Sequence, residues 1–313
     1  MGNPTRAMAL EAGSAAHEAY AAARLWQLGR VQGLREHEQF HGVRLFTEHH
    51  YEDMCARAAT SGDDERLAFL RFCLAAFENS GFYDDPADKR RTVVNIEEAL
   101  IAYLDRFDLK RNVWVEDTTN PQARVGIEMS LDVTVTYTMH DDSVLKLRFI
   151  GTADGLSVER DGALRLEENK TASRLGEAWC MSFHMSHQQT GYLMALSTLI
   201  GQPVTKAAVH GMCIPLPRTY DAGGLMTEIV NRNENQFQQF LEWILHLVQV
   251  IEIYGNEPWN APKHTGACNK YFRACSLIPL CAAPREDQQE YYDMMVERQL
   301  SPTEEALDGK GDE

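Results

Sequence analysis

Two alternating runs joined by a tight turn constrain this chain more than any other stretch. The first, LKLRFIGTA over 145–153, closes on Asp154; the second, ALRLEENK over 163–170, closes on Glu168-Asn169-Lys170. Arg160-Asp161-Gly162 between them has turn composition. Pairing through that turn gives an antiparallel hairpin with Asp154 and Glu168 near the same edge of one sheet. Residues 168 and 170 are two apart in a strand, so they point to one face. Two carboxylates and an ammonium converging on one point suit a divalent metal and a polarised water. Alone, a Glu-x-Lys at a strand end is more often a solvated edge. Asp154, a hairpin's length upstream, shifts that balance.

The rest of the chain supplies partners for the hairpin. Helical spacing runs over 7–29 (Ala-rich), 63–78, 95–106, 184–200 and 235–254. Strand character begins near Val113 and continues over 126–139, 144–153 and 204–214, with a turn at His140-Asp141-Asp142 and a loop at 80–89. This order predicts an α/β or α+β protein, with a central mixed sheet flanked by helices. No repeat or interdomain linker interrupts it. The expectation is a single domain over 1–283, with a helical insertion at 35–110 and an irregular cysteine-bearing stretch at 257–283. A C-terminal helix and acidic tail follow over 284–313.

Composition excludes some classes. A formal charge of -16 disfavours broad adhesion to nucleic acid, although not a local basic groove. The most apolar stretch, 240–254, is broken by Glu242, His246, Gln249 and Glu252, so it predicts a helix with one buried face and no membrane partner. The N-terminus lacks a basic region followed by an apolar core, which predicts a cytoplasmic protein. Seven unevenly spaced cysteines in a reducing compartment argue for metal ligation over a disulfide framework.

Two further groups flank the hairpin. Gln188 and Tyr192 are four apart on a predicted helix and share a face, where an amide and a phenol can bind a phosphate or stack on a base. The bland alternative is a surface pair with a half-buried tyrosine. His17 follows Gly13-Ser14-Ala15-Ala16 on the first helix. Small residues there would let the helix approach the sheet and bring His17 to the acids, although a lone histidine on such a helix is more often packed or exposed. Glu128, just before a strand, is placed near the same site. His49 and His50, with His37 and His41, lack ligand spacing and are assigned to the surface. Trp114 and Trp259 are expected as core or loop anchors.

His17 after Gly13, Asp154 in GTAD, Glu168-Asn169-Lys170 before Thr171, and Gln188 with Tyr192 resemble, in order, the motifs of the RecB-like branch of the PD-(D/E)XK nuclease superfamily. The likeness spans residues 8–281 and is nearest to phage-type and CRISPR-associated exonucleases. It implies a nuclease core and a Mg2+- or Mn2+-dependent exonuclease acting on single strands or duplex ends. DNA would be the partner, in phage or prokaryotic DNA processing, recombination or defence, together with a recombination or CRISPR/phage protein. The resemblance implies that His17, Asp154 and Glu168 bind the metal with the carbonyl of Asn169. Lys170 would orient or deprotonate the attacking water, and Gln188 and Tyr192 would contact the DNA. Phosphodiester hydrolysis asks for this chemistry: hydroxide near neutral pH and positive charge on the five-coordinate phosphorus. Hard oxygen ligands plus one imidazole suit Mg2+ or Mn2+.

Cys268, Cys275 and Cys281 fall within fourteen residues of irregular sequence. Such clustering suggests an iron-sulfur cluster or structural zinc. It is similar to the C-terminal cysteines of the iron-sulfur members of the same branch, which implies a 4Fe-4S cluster. Those relatives draw the fourth ligand from a cysteine upstream of the histidine-bearing helix, and no cysteine precedes His17 here. The alternatives are a shortened N-terminus, a substitute among Cys55, Cys73, Cys180, Cys213 and His264, or no cluster. Cys55 and Cys73 are expected as buried core thiols. Two rivals to the exonuclease stand beside it: an inactive nuclease-like protein that binds DNA ends or a partner, and a zinc-binding module with an incidental Glu-x-Lys.

Overall fold

The computed structural model describes residues 8–32, 46–117, 124–138, 144–217, 224–255, 281–284, 287–290 and 292–294. The chain divides into two compact units, Met1–Phe237 and Gln238–Glu313. The first contains a mixed sheet flanked by helices.

Strands β1 (Asn112–Val113), β2 (Ile127–Thr138), β3 (Val144–Val158), β4 (Leu164–Ala172), β5 (Lys206–Cys213) and β6 (Leu225–Asn231) form that sheet. Its order is β1-β3-β4-β5-β6, with β2 also on β3. All pairs are antiparallel except β4 with β5. That parallel pair needs a crossover. Helices α5 (Glu177–His184) and α6 (His187–Ile200) supply it, although the sequence suggested one helix beginning at residue 184. The Glu159–Ala163 turn closes β3 on β4, with Gly162 at φ +86°.

Side chains alternate between two cores. Leu164 and Leu166 of β4 pack with Leu193 and Leu196 of α6. On the other face, α1 (Met8–Gln32), α2 (Glu48–Ala59), α3 (Glu65–Asn79) and α4 (Val93–Asp105) gather around Tyr20, Phe69, Phe77 and Leu100. Helix α1 is alanine-rich because it is buried between the sheet and α3. Ala12, Ala15, Ala16 and Ala19 are all essentially inaccessible. A Cβ built on Gly13 would sit 3.5 Å from Thr171 Oγ1, so the start of α1 runs against β4.

Helix α2 falls within the helical insertion expected at 35–110, whereas β6 was not expected from the sequence. Thr47 caps α2 by accepting from the His50 N–H. Cys55 on this helix is exposed, against the expected burial, while Cys73 on α3 and Trp114 after β1 are buried as expected. His49 is exposed and His50 half-buried; His37, His41 and Trp259 lie outside the described residues. Helix α7 (Glu234–Tyr254) covers the span expected for a long helix. No helix among the described residues is long and apolar enough to cross a membrane.

Candidate metal and hydrolytic centre

The β3–β4 ladder stops at Gly155 opposite Glu167. One step further, a side chain replaces the main chain: the Asn169 N–H donates to Asp154 Oδ2 at 2.6 Å. Asp154 is thereby fixed at the point where the two strands part. Main-chain N–H and C=O groups of one strand residue face the same edge, so the Asn169 carbonyl also turns towards β3. The Asn169 side chain is anchored from the far side by the Tyr103 hydroxyl, 2.9 Å from its Oδ1.

On β3's other edge, β2 is paired at Ile127 with Gly155 and at Met129 with Ala153, and Glu128 falls between these pairs. Its φ is +44°, rare for a residue with a side chain, and costs on the order of 1–3 kcal/mol. Gly126 permits this entry into β2, because a Cβ there would lie 2.2 Å from the Leu156 carbonyl oxygen. Helix α1 brings His17 to the same place, with Nδ1 3.6 Å from Asp154 Oδ1. Ligand atoms of His17, Glu128 and Asp154 all lie within 4.8 Å of one another.

Glu168 and Lys170 meet on one face of β4, Nζ to Oε1, at 2.5 Å. Glu168 is buried and its second oxygen, Oε2, has no partner. Burial first, and Asp154 second, push its carboxyl up to about 7, against the pull of Lys170. Burial and Asp154 likewise push Glu128 up to about 8. Burial opposes the Lys170 ammonium, yet Glu168, Asp154 and Tyr192 hold its value above the ordinary one. Glu128 and Glu168, buried beside another acid, hold protons unless a cation offsets them. A buried carboxylate oxygen with no donor beside it suits such a cation.

Two carboxylates, Glu128 and Asp154, with the His17 imidazole fit a hard divalent ion, and Glu168 lies near enough for its charge to act on Glu128 and to feel Asp154. The structure thus brings together His17, Asp154, Glu168, Asn169 and Lys170, and adds Glu128. Gln188 and Tyr192 stand beside them on α6, with Gln188 Nε2 3.4 Å from the Tyr192 hydroxyl. The Tyr192 ring packs on Gly151, where an added Cβ would come within 3.3 Å of it. Gln189 next to them is fully buried, and neither its amide oxygen nor its nitrogen has a partner.

Arg24 was not anticipated by the sequence reading. It lies on α1, is 3% exposed, and rests its guanidinium over Gly155, where a Cβ would be 2.6 Å from Cζ. Its charge acts on Glu128, Glu168 and Glu167, favouring their ionised forms. Only the absence of a side chain at Gly155 admits it, a dependence between distant residues that no local pattern reveals.

Cys268, Cys275 and His264 lie outside the described residues, and Cys281 is exposed. Of the other proposed cluster ligands, Cys73 and Cys213 are buried and Cys180 Sγ contacts Met226 Sδ at 3.1 Å. No family model matches this chain, and no curated protein or solved structure matches it with significance.

Proposed function

We propose that this chain is a metal-dependent deoxyribonuclease with a PD-(D/E)XK core of the RecB-like kind, acting as an exonuclease on single strands or duplex ends. The observation that carries the reading is Glu168. One buried oxygen takes the Lys170 ammonium and the other has no partner, in the field of Asp154 and Glu128, whose own oxygens gather with the His17 imidazole. An ordinary surface ion pair buries neither carboxylate oxygen and orphans none.

His17, Glu128, Asp154 and Glu168 would hold Mg2+ or Mn2+, with the Asn169 carbonyl available as a further donor. The ion supplies Lewis acidity and a lowered pKa for water. Lys170 remains an ammonium in the field of Glu168 and Asp154, so its part is to place the water and offset charge developing on the phosphate, rather than to accept a proton. Glu168 Oε1 fixes the position of that ammonium. Gln188 and Tyr192 offer an amide and a phenol to the DNA strand. Water adds to phosphorus and the bond to the leaving sugar oxygen breaks, which yields a phosphate monoester and a free hydroxyl.

Labelled linear DNA incubated with Mn2+ tests this reading. Wild-type protein should release nucleotides, and Lys170→Ala and Asp154→Ala should each reduce release by at least about 100-fold while remaining folded. Equal release by both variants and wild type removes the site assignment. Folded wild-type protein that binds DNA ends without cleaving them favours the inactive nuclease-like alternative.

A further inference from the structure

Helix α4 reaches the acidic centre through one hydroxyl. Its buried side carries Ile96, Ala99, Leu100, Tyr103 and Leu104, which seat it in the core shared with α1 and α3. That packing fixes where the Tyr103 ring lies. The ring tilts on Tyr20 of α1, with centroids 4.7 Å apart, and approaches Phe107 at 6.0 Å. Tyr103 is 8% exposed, so its hydroxyl needs a partner within the protein, and it donates to Asn169 Oδ1 at 2.9 Å. Burial pushes the phenol above its ordinary value, so it stays a proton donor near neutral pH.

Asn169 is fully buried, and its Nδ2 has no partner. The Tyr103 hydroxyl is therefore the one polar contact of this amide among the described residues. The two edges of the Asn169 main chain differ. Towards β5 the strand is laddered, with Asn169 opposite His210. Towards β3 the ladder has ended, and the Asn169 N–H goes to Asp154 Oδ2. That bond leaves Asp154 Oδ1 to face the His17 imidazole, 3.6 Å away, in the group completed by Glu128. One line of contacts thus runs from the α4 core to the carboxylate at the centre. Partners one step behind a metal ligand typically set affinity by about 10- to 100-fold.

We infer that Tyr103 is a positioning residue for the metal centre. Its hydroxyl holds the Asn169 amide, Asn169 aims its N–H at Asp154, and Asp154 is presented to the ion. Without the hydroxyl, both polar ends of a buried amide lack partners and the side chain is free to turn. The role of Tyr103 rests on the metal-centre reading but asks nothing of DNA cleavage.

Calorimetric titration of the full chain with Mn2+, at a temperature where circular dichroism shows each variant folded, tests it. Tyr103→Phe keeps the ring on Tyr20 and Phe107 and loses only the hydroxyl. It should weaken Mn2+ binding by about tenfold. Asn169→Leu keeps the main-chain N–H and should also weaken binding. Adding Tyr103→Phe to it should weaken binding no further, because the hydroxyl acts through that amide. Ser197→Ala, on α6, loses a hydroxyl that donates to the Leu193 carbonyl and accepts from the Val204 N–H. That is a comparable structural loss outside the centre, and this variant should bind Mn2+ as wild type does. Undiminished binding by Tyr103→Phe, additive losses in the double variant, or an equal loss in Ser197→Ala overturns the positioning role and leaves the metal centre in place. Wild type that binds no Mn2+ overturns the metal-centre reading and the positioning role with it. If Asn169→Leu does not fold, Tyr103→Phe against Ser197→Ala decides.

Discussion

Binding of Mn2+ near neutral pH should eject protons from the acidic centre. At pH 7 a carboxyl raised to about 8, as Glu128 is, is about nine-tenths protonated; one at about 7, as Glu168 is, is about half protonated. Both must ionise to hold the ion, so roughly one to two protons should leave per metal bound. The logarithm of the apparent affinity should then rise with pH near pH 7 and flatten once both are ionised, above about pH 9. The sign follows from the raised values. In the metal-free protein these acids contribute most to stability below their unfolded value near 4.5, and that contribution is lost as pH rises through 7 and 8. Metal reverses the trend. Titration calorimetry in two buffers of different ionisation enthalpy reads the proton count directly. Glu128→Gln should lower it by up to about one and weaken binding. Heats at pH 7 that do not depend on the buffer, or a count unchanged in Glu128→Gln, would refute the reasoning.

Other consequences follow from the same contacts. Glu128→Gly removes both the left-handed strain and a crowded carboxyl, so the metal-free variant should be about 1–3 kcal/mol more stable by urea unfolding while binding metal less tightly. A loss of stability would show that Glu128 is not strained. Glu167→Gln leaves Arg111, Arg165 and His210 around an uncharged amide and should cost about 3–5 kcal/mol. Hydrogen bonding by His210 and the charges of Arg24 and Arg111 outweigh burial and hold the Glu167 carboxyl well below the usual range. Its contribution is therefore present above the unfolded value near 4.5 and is lost as pH falls through the lower folded one. Thermal scans between pH 3 and 7 should show a steeper acid limb in wild type than in the variant; parallel limbs would contradict this. Anaerobically purified protein should be brown, with iron and sulfide, if Cys268, Cys275 and Cys281 hold a cluster. Colourless protein carrying zinc decides for the structural alternative.

The hairpin was legible because its signals are local. Alternation, a turn with glycine at the right place, and two-residue spacing sufficed to pair β3 with β4 and to join Glu168 to Lys170. The small residues of α1 likewise announced a close approach to the sheet. Glu128 could be placed near the site but not into it, because its position depends on a positive φ and on the room left at Gly126. Strand β6, at 225–231, was missed because it alternates weakly and is mostly half-exposed. The α5–α6 break at Met185-Ser186 carries no proline or glycine to mark it. Glu167 looked like a filler beside Glu168. Its importance comes from Arg111, Arg165 and His210, contributed by separate parts of the chain.

The most direct test of the central claim is nucleotide release from end-labelled linear DNA, with Mn2+ and with EDTA, for wild type and Asp154→Ala. The account predicts release by wild type with Mn2+, none in EDTA, and at least about a 100-fold loss in a folded Asp154→Ala. Release that persists in EDTA, or is equal in the variant, would contradict it.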